Sequence, residues 1–152
     1  MRNLLVLSAL LVPCVLASAQ PGGLQGCWRN TRTTLYFLDG RTQVNAQGNC
    51  QLQFMADRIS TRCRGSQAET VIEYSYAIIR PGVYTATMLS NSSTRAQAQA
   101  QIGGTREYQY RMEAGQLFLT TFPQTTKPAP TNAIQRVESV SKEEPCQGGL
   151  LP

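Results

Sequence analysis

The sequence contains no histidine, a single tryptophan and only two lysines among its 14 basic residues. Without histidine, the usual general base for a serine or cysteine nucleophile is missing, and so is the commonest zinc ligand. Lys127 and Lys142 stand in a proline-rich stretch and near the C-terminus, poor settings in which to desolvate an amine for serine–lysine chemistry. Glu69, Glu73, Glu107 and Glu113 remain as carboxylates, but they fall on solvent-facing positions of the candidate strands, where no acid–base pair can be inferred. No run reaches the ~20 apolar residues of a membrane-spanning helix, so no membrane span is expected. The net charge of +5 comes from scattered arginines and not from a dense basic block, so no nucleic-acid partner is expected. These absences together exclude most catalytic schemes, and neither an enzymatic activity nor a cofactor or metal is expected.

What is present begins with a leader. Arg2, an apolar run from Leu4 to Leu16 and the small residues Ala17-Ser18-Ala19 read as a secretory signal over residues 1–19. Secretion or residence in a periplasm is the expected location. Pro13 departs from the small residue that a lipoprotein box places before its cysteine, so lipid anchoring at Cys14 is not expected. Residues 20–140 are of a length that suits one domain with a real core, and residues 141–152 read as a tail. Four cysteines remain after the leader, Cys27, Cys50, Cys63 and Cys146, and an even number in an exported chain reads as disulfides.

The pattern along the chain is short alternating runs separated by turn residues. Asp39-Gly40 divides Thr33 to Leu38 from Arg41 to Asn45, a strong hairpin signal. Cys50 to Met55 and Arg58 to Arg64 flank Ala56-Asp57, and a two-residue loop there pairs Phe54 with Ile59, Leu52 with Thr61 and Cys50 with Cys63. The last of these is a non-hydrogen-bonded pair, where α-carbons approach closest, so a Cys50–Cys63 bridge is expected. Cys27 and Cys146 are left to join the two ends of the domain. Arg80-Pro81-Gly82 supplies a turn between Thr70 to Ile79 and Val83 to Ser90. The polar stretch from Asn91 to Gln101 reads as a mobile loop or frayed strand end, and its Asn91-Ser92-Ser93 matches a glycosylation acceptor. Thr105 to Met112 and Gln116 to Phe122 form a further hairpin, three prolines between Pro123 and Pro130 make an extended connector, and Ala133 to Val140 is the last strand. About eight strands follow the tryptophan segment, with no convincing helical period, and the fold class is all-β: an antiparallel up-and-down barrel.

At the head of this series stands Gly26-Cys27-Trp28, and near its end Arg136. A glycine lets the backbone pass close beneath the indole, which can plug one end of a closed sheet. A Gly-x-Trp opening, a meander and a late arginine resemble the calycins, the superfamily of lipocalins, avidins and related small barrels. The resemblance implies a lipocalin-like barrel in which Arg136 covers Trp28 at the floor. The avidin variant is not implied for biotin, because the further tryptophans of those binders are missing. An eight-stranded barrel is just wide enough to be filled by its own side chains or to hold one small ligand. In the second case Phe54, Tyr74, Tyr76, Tyr84, Tyr108 and Tyr110 line the interior, a mixture of apolar faces and hydroxyls suited to an amphipathic lipid or aromatic metabolite. The other expectation, from calycin-like inhibitors of secreted proteases, is a packed core with a protein partner and an exposed arm at Gln20-Pro21-Gly22-Gly23.

Overall fold

Alternation with a period of two, interrupted by turns, produces a chain of antiparallel hairpins in the computed structural model, which describes residues 23–66, 68–123 and 130–146. Among these residues the strands are β1 (Gly26–Phe37), β2 (Thr42–Asn45), β3 (Cys50–Phe54), β4 (Arg58–Arg64), β5 (Glu69–Arg80), β6 (Val83–Asn91), β7 (Thr105–Glu113), β8 (Gln116–Thr121) and β9 (Ile134–Glu144). One turn of helix, α1 (Ala96–Gln99), lies between β6 and β7, within the stretch expected to be a loop. The leader, residues 1–19, and most of the proline-rich connector and the tail end lie outside the described residues.

From β3 to β9 each strand pairs with the next, and β9 returns to pair with β1 from Cys27↔Glu144 to Phe37↔Ile134. The opposite edge of β1 is shared: β3 takes residues 26–29 and β2 takes residues 33–36. β2 and β3 are therefore two halves of one broken strand, and the wall closes as an eight-stranded antiparallel up-and-down barrel. Closure leaves few exposed edges and encloses one interior.

The hairpin geometry expected from the turns is present. Phe54↔Ile59, Leu52↔Thr61 and Cys50↔Cys63 are register pairs, and Cys50 and Cys63 are bridged with α-carbons 4.0 Å apart. Cys27 and Cys146 form the second bridge, spanning 119 positions. Such bonds belong to proteins that fold in an oxidising environment.

Two expectations are corrected. The tryptophan segment and the run beginning at Thr33 are one strand, not two, since pairing with β9 continues across a bulge between Asn30 and Arg32. The extra residue reverses the phase of alternation, and a period-two reading breaks there. The last strand also runs past Val140 to Glu144. Ser-Lys-Glu-Glu has the composition of a tail, yet β1 and β8 hold this segment from both sides: Lys142 pairs with Arg29 and with Gln116, and Ser141 is fully buried.

Candidate ligand cavity

Gly26 has φ +135°, a conformation side-chain-bearing residues avoid, and it delivers Trp28 to the interior two residues later. The indole is buried, and its Nε1 donates a 3.0 Å hydrogen bond to the Leu24 carbonyl. Leu24, itself 1% exposed, folds beneath the ring and closes the floor with Phe54, Leu117 and Tyr84.

Arg136 is not part of this floor. It pairs with Tyr36, eight positions along β1 from Trp28, roughly 25 Å away at ~3.3 Å per residue. Its guanidinium lies 3.9 Å over the Tyr36 ring, and its Nε stands 3.3 Å from Glu138 Oε1. The Tyr36 hydroxyl donates to Glu138 Oε2 at 2.8 Å. The expected Arg136–Trp28 contact is corrected on two counts, register and parity: Val137 and Ser139 face the interior, so Arg136 between Gln135 and Val137 points out.

Above the floor the aromatic side chains divide. Tyr84 is the hub, with Phe54 and Tyr76 edge-on to it at 5.9 and 5.8 Å, Tyr110 tilted at 5.9 Å and Tyr108 stacked at 5.0 Å. The Tyr76 hydroxyl is tied to the Met55 carbonyl at 2.8 Å. Phe54, Tyr76 and Tyr110 thus fill the lower barrel and do not line the open space. On the other side of Tyr84 lies a cavity of about 400 Å³ whose wall includes Tyr74, Tyr84 and Tyr108. The interior is packed in one half and open in the other, so the two sequence expectations, filled core and ligand cavity, describe different ends of the same barrel.

The remainder of the wall is Leu52, Ile59, Ala86, Leu119 and Val137, with polar groups from Asn30, Thr33, Thr61 and Ser139. Asn45, Gly48, Asn49 and Cys50, at the break between β2 and β3, complete it. Asn30 and Thr33 escaped the sequence reading because the bulge lies between them. Val137 and Ser139 escaped because no turn anchored the parity of β9. Thr61 and Ala86 fall on inward faces by alternation, but their small side chains give no sequence signal for a cavity wall.

No carboxylate, guanidinium or ammonium group is among these wall residues. The tyrosines do not supply charge either: burial pushes the Tyr74 phenol up to about 12 and the Tyr84 phenol well above its usual value. Tyr108 is also raised by burial, with the charge and hydrogen bonding of neighbouring Arg106 acting against the shift. All three are neutral donors and acceptors at physiological pH. A phenol with a folded value above its unfolded value of about 10 contributes its full stability below that pH, and loses it as pH rises, because the unfolded form ionises first. For Tyr74 the window is from about 10 to about 12. Urea midpoints are expected to fall across this window, and Tyr74→Phe should fall less steeply; parallel pH profiles would place Tyr74 in solvent.

Neither a protein-family model nor a curated protein matches the sequence. Among solved structures, a lipocalin-like protein from Bacteroides uniformis ATCC 8492 superposes with a TM-score of 0.53 at 14% identity, over 81% of this chain and 100% of that one. An uncharacterized protein from Bacteroides eggerthii DSM 20697 gives a TM-score of 0.50 at 11% identity, over 79% of this chain and 98% of that one. At these identities the likeness is one of fold, and with the closed eight-stranded wall it establishes that this chain is a lipocalin-like barrel.

Proposed function

We propose that this chain is an exported binding protein that holds one small amphipathic, mainly apolar ligand in the open half of its barrel. The observation that carries the reading is the cavity of about 400 Å³, within the roughly 300–1,000 Å³ typical of small-molecule sites. Its wall combines aromatic and aliphatic surface with a few neutral hydroxyls and amides, chemistry that rewards an apolar body carrying one or two hydrogen-bonding groups. The reading is binding without catalysis, since the polar wall groups are unactivated hydroxyls and amides. Export is supported by the leader pattern of residues 1–19 and by the two disulfides.

The test uses a neutral fluorescent probe, N-phenyl-1-naphthylamine. It should bind at one per chain and raise the unfolding temperature by mass action. Ser139→Phe, which projects a ring into the cavity, should weaken binding roughly tenfold or more, a change of about 1.4 kcal/mol. Absence of binding by this probe and by a panel of neutral alkyl and aryl compounds would end the reading. Inhibition of a secreted protease would then favour the protein-partner expectation, whose arm at Gln20-Pro21-Gly22-Gly23 lies, up to Gly22, outside the described residues.

A further inference from the structure

Tyr74, Ala86 and Tyr108 border more than the neutral cavity. A second space of about 250 Å³ shares these same three side chains and adds Arg106, with Met88 and Gln101 nearby. Arg106 precedes Tyr108 by two residues on β7 and so stands on the same face of the strand; across the sheet it pairs with Ala86. The charged groups on the neighbouring outward positions are spoken for elsewhere, Glu107 by Arg80 at 3.0 Å. Among the described residues Arg106 forms no salt bridge; its Nη2 donates to the neutral Gln101 Oε1 at 3.0 Å. The segment carrying Gln101 is itself anchored to β6, with Gly103 N–H donating to the Met88 carbonyl at 2.8 Å and Met88 N–H to the Gly104 carbonyl at 3.1 Å. One cation without a carboxylate partner is therefore held in a space that shares a wall with the uncharged cavity.

We propose that the ligand is a monocarboxylate with an apolar tail, that the tail occupies the neutral cavity, and that Arg106 receives the carboxylate at the rim. The proposal rests on the binding reading and adds the ligand's charge class to it. A planar guanidinium matches a carboxylate with two parallel hydrogen bonds, and one cation balances one negative charge. The Tyr108 phenol, neutral and adjacent, offers a further donor. Placing the charge at the rim matters energetically, because an ionised carboxylate drawn among the uncharged wall residues would be desolvated without a counter-charge, whereas Arg106 is exposed and leaves the head group partly hydrated. The same exposure makes the preference sensitive to salt.

The experiment compares decanoate with decanol by titration calorimetry near neutral pH and low salt, in the wild-type chain and in two variants. Decanoate should bind wild type roughly tenfold more tightly, the scale of one hydrogen-bonded charge pair. Arg106→Gln should bring the decanoate-to-decanol ratio close to one, and Arg106→Lys, which keeps the charge but loses the planar fork, should restore part of it. Equal affinities in wild type, or a preference that survives Arg106→Gln, overturn the assignment of Arg106 while leaving the cavity reading intact. If neither compound binds, both fall.

Discussion

Replacing Cys27 and Cys146 together by alanine should lower the unfolding free energy by about 4 to 5 kcal/mol on loop-closure entropy. The bridge spans 119 positions and ties the start of β1 to the residues just beyond β9. Without it, the unfolded chain gains nearly its whole conformational range. The Cys50–Cys63 bridge spans only 13 positions, and its removal should cost about 3 kcal/mol by the same reasoning. Both bridges lie on the same barrel, so the comparison isolates loop length from environment to a useful degree. Guanidinium unfolding of the two double variants, followed by fluorescence of the single tryptophan, measures the difference. A larger loss from the short bridge would show that native-state packing, and not restriction of the unfolded chain, governs their contribution.

Trp28→Ala should cost about 3 to 5 kcal/mol, the usual range for an aromatic removed from a closely packed core. The indole is 4% exposed, it caps the floor over Leu24, and its Nε1 bond to the Leu24 carbonyl is lost with it. Loss of that donor also leaves a buried carbonyl without its partner, which adds to the penalty. Arg136→Ala should cost far less, about 1 kcal/mol or below, because its contacts to Tyr36 and Glu138 are on the outer wall. Urea unfolding followed by far-ultraviolet circular dichroism reads both. Comparable losses would mean that the two residues share one structural unit after all, contrary to the register of β9.

The contrast between these residues shows how far local pattern reaches. Cys50, Leu52, Phe54, Ile59, Thr61 and Cys63 could be paired from the sequence because a two-residue turn fixes both register and parity within 14 positions. Arg136 could be placed only by resemblance. Its partners lie about a hundred positions away, no tight turn anchors β9, and a shift of one residue exchanges the inner and outer faces. The bulge after Asn30 has the same effect within β1: the wall residues Asn30 and Thr33 have opposite sequence parity but face the same cavity.

The candidate site was legible to a similar depth. Tyr74, Tyr84 and Tyr108 could be assigned to inward faces, as could Phe54, Tyr76 and Tyr110, since alternation alone decides on which side of a strand a residue stands. Which of the six border empty space depends on how many rings meet at one level of the barrel. Tyr84 gathers Phe54, Tyr76 and Tyr110 around it and closes the lower half, while Ala86, Ser139 and Thr61 above are too small to do the same.

By itself, then, the sequence determined the all-β class, the succession of hairpins, the two disulfide pairings and the inward faces of the turn-anchored hairpins from β3 to β8, because turn chemistry and period-two alternation act over a few residues. The tertiary structure alone decided how β2 and β3 share one edge of β1, where β9 ends, which way Arg136 points, and that the space lined by Arg106 shares a wall with an uncharged cavity. Each of these depends on strands distant in sequence meeting in a particular register, and on the volume left over when their side chains have packed.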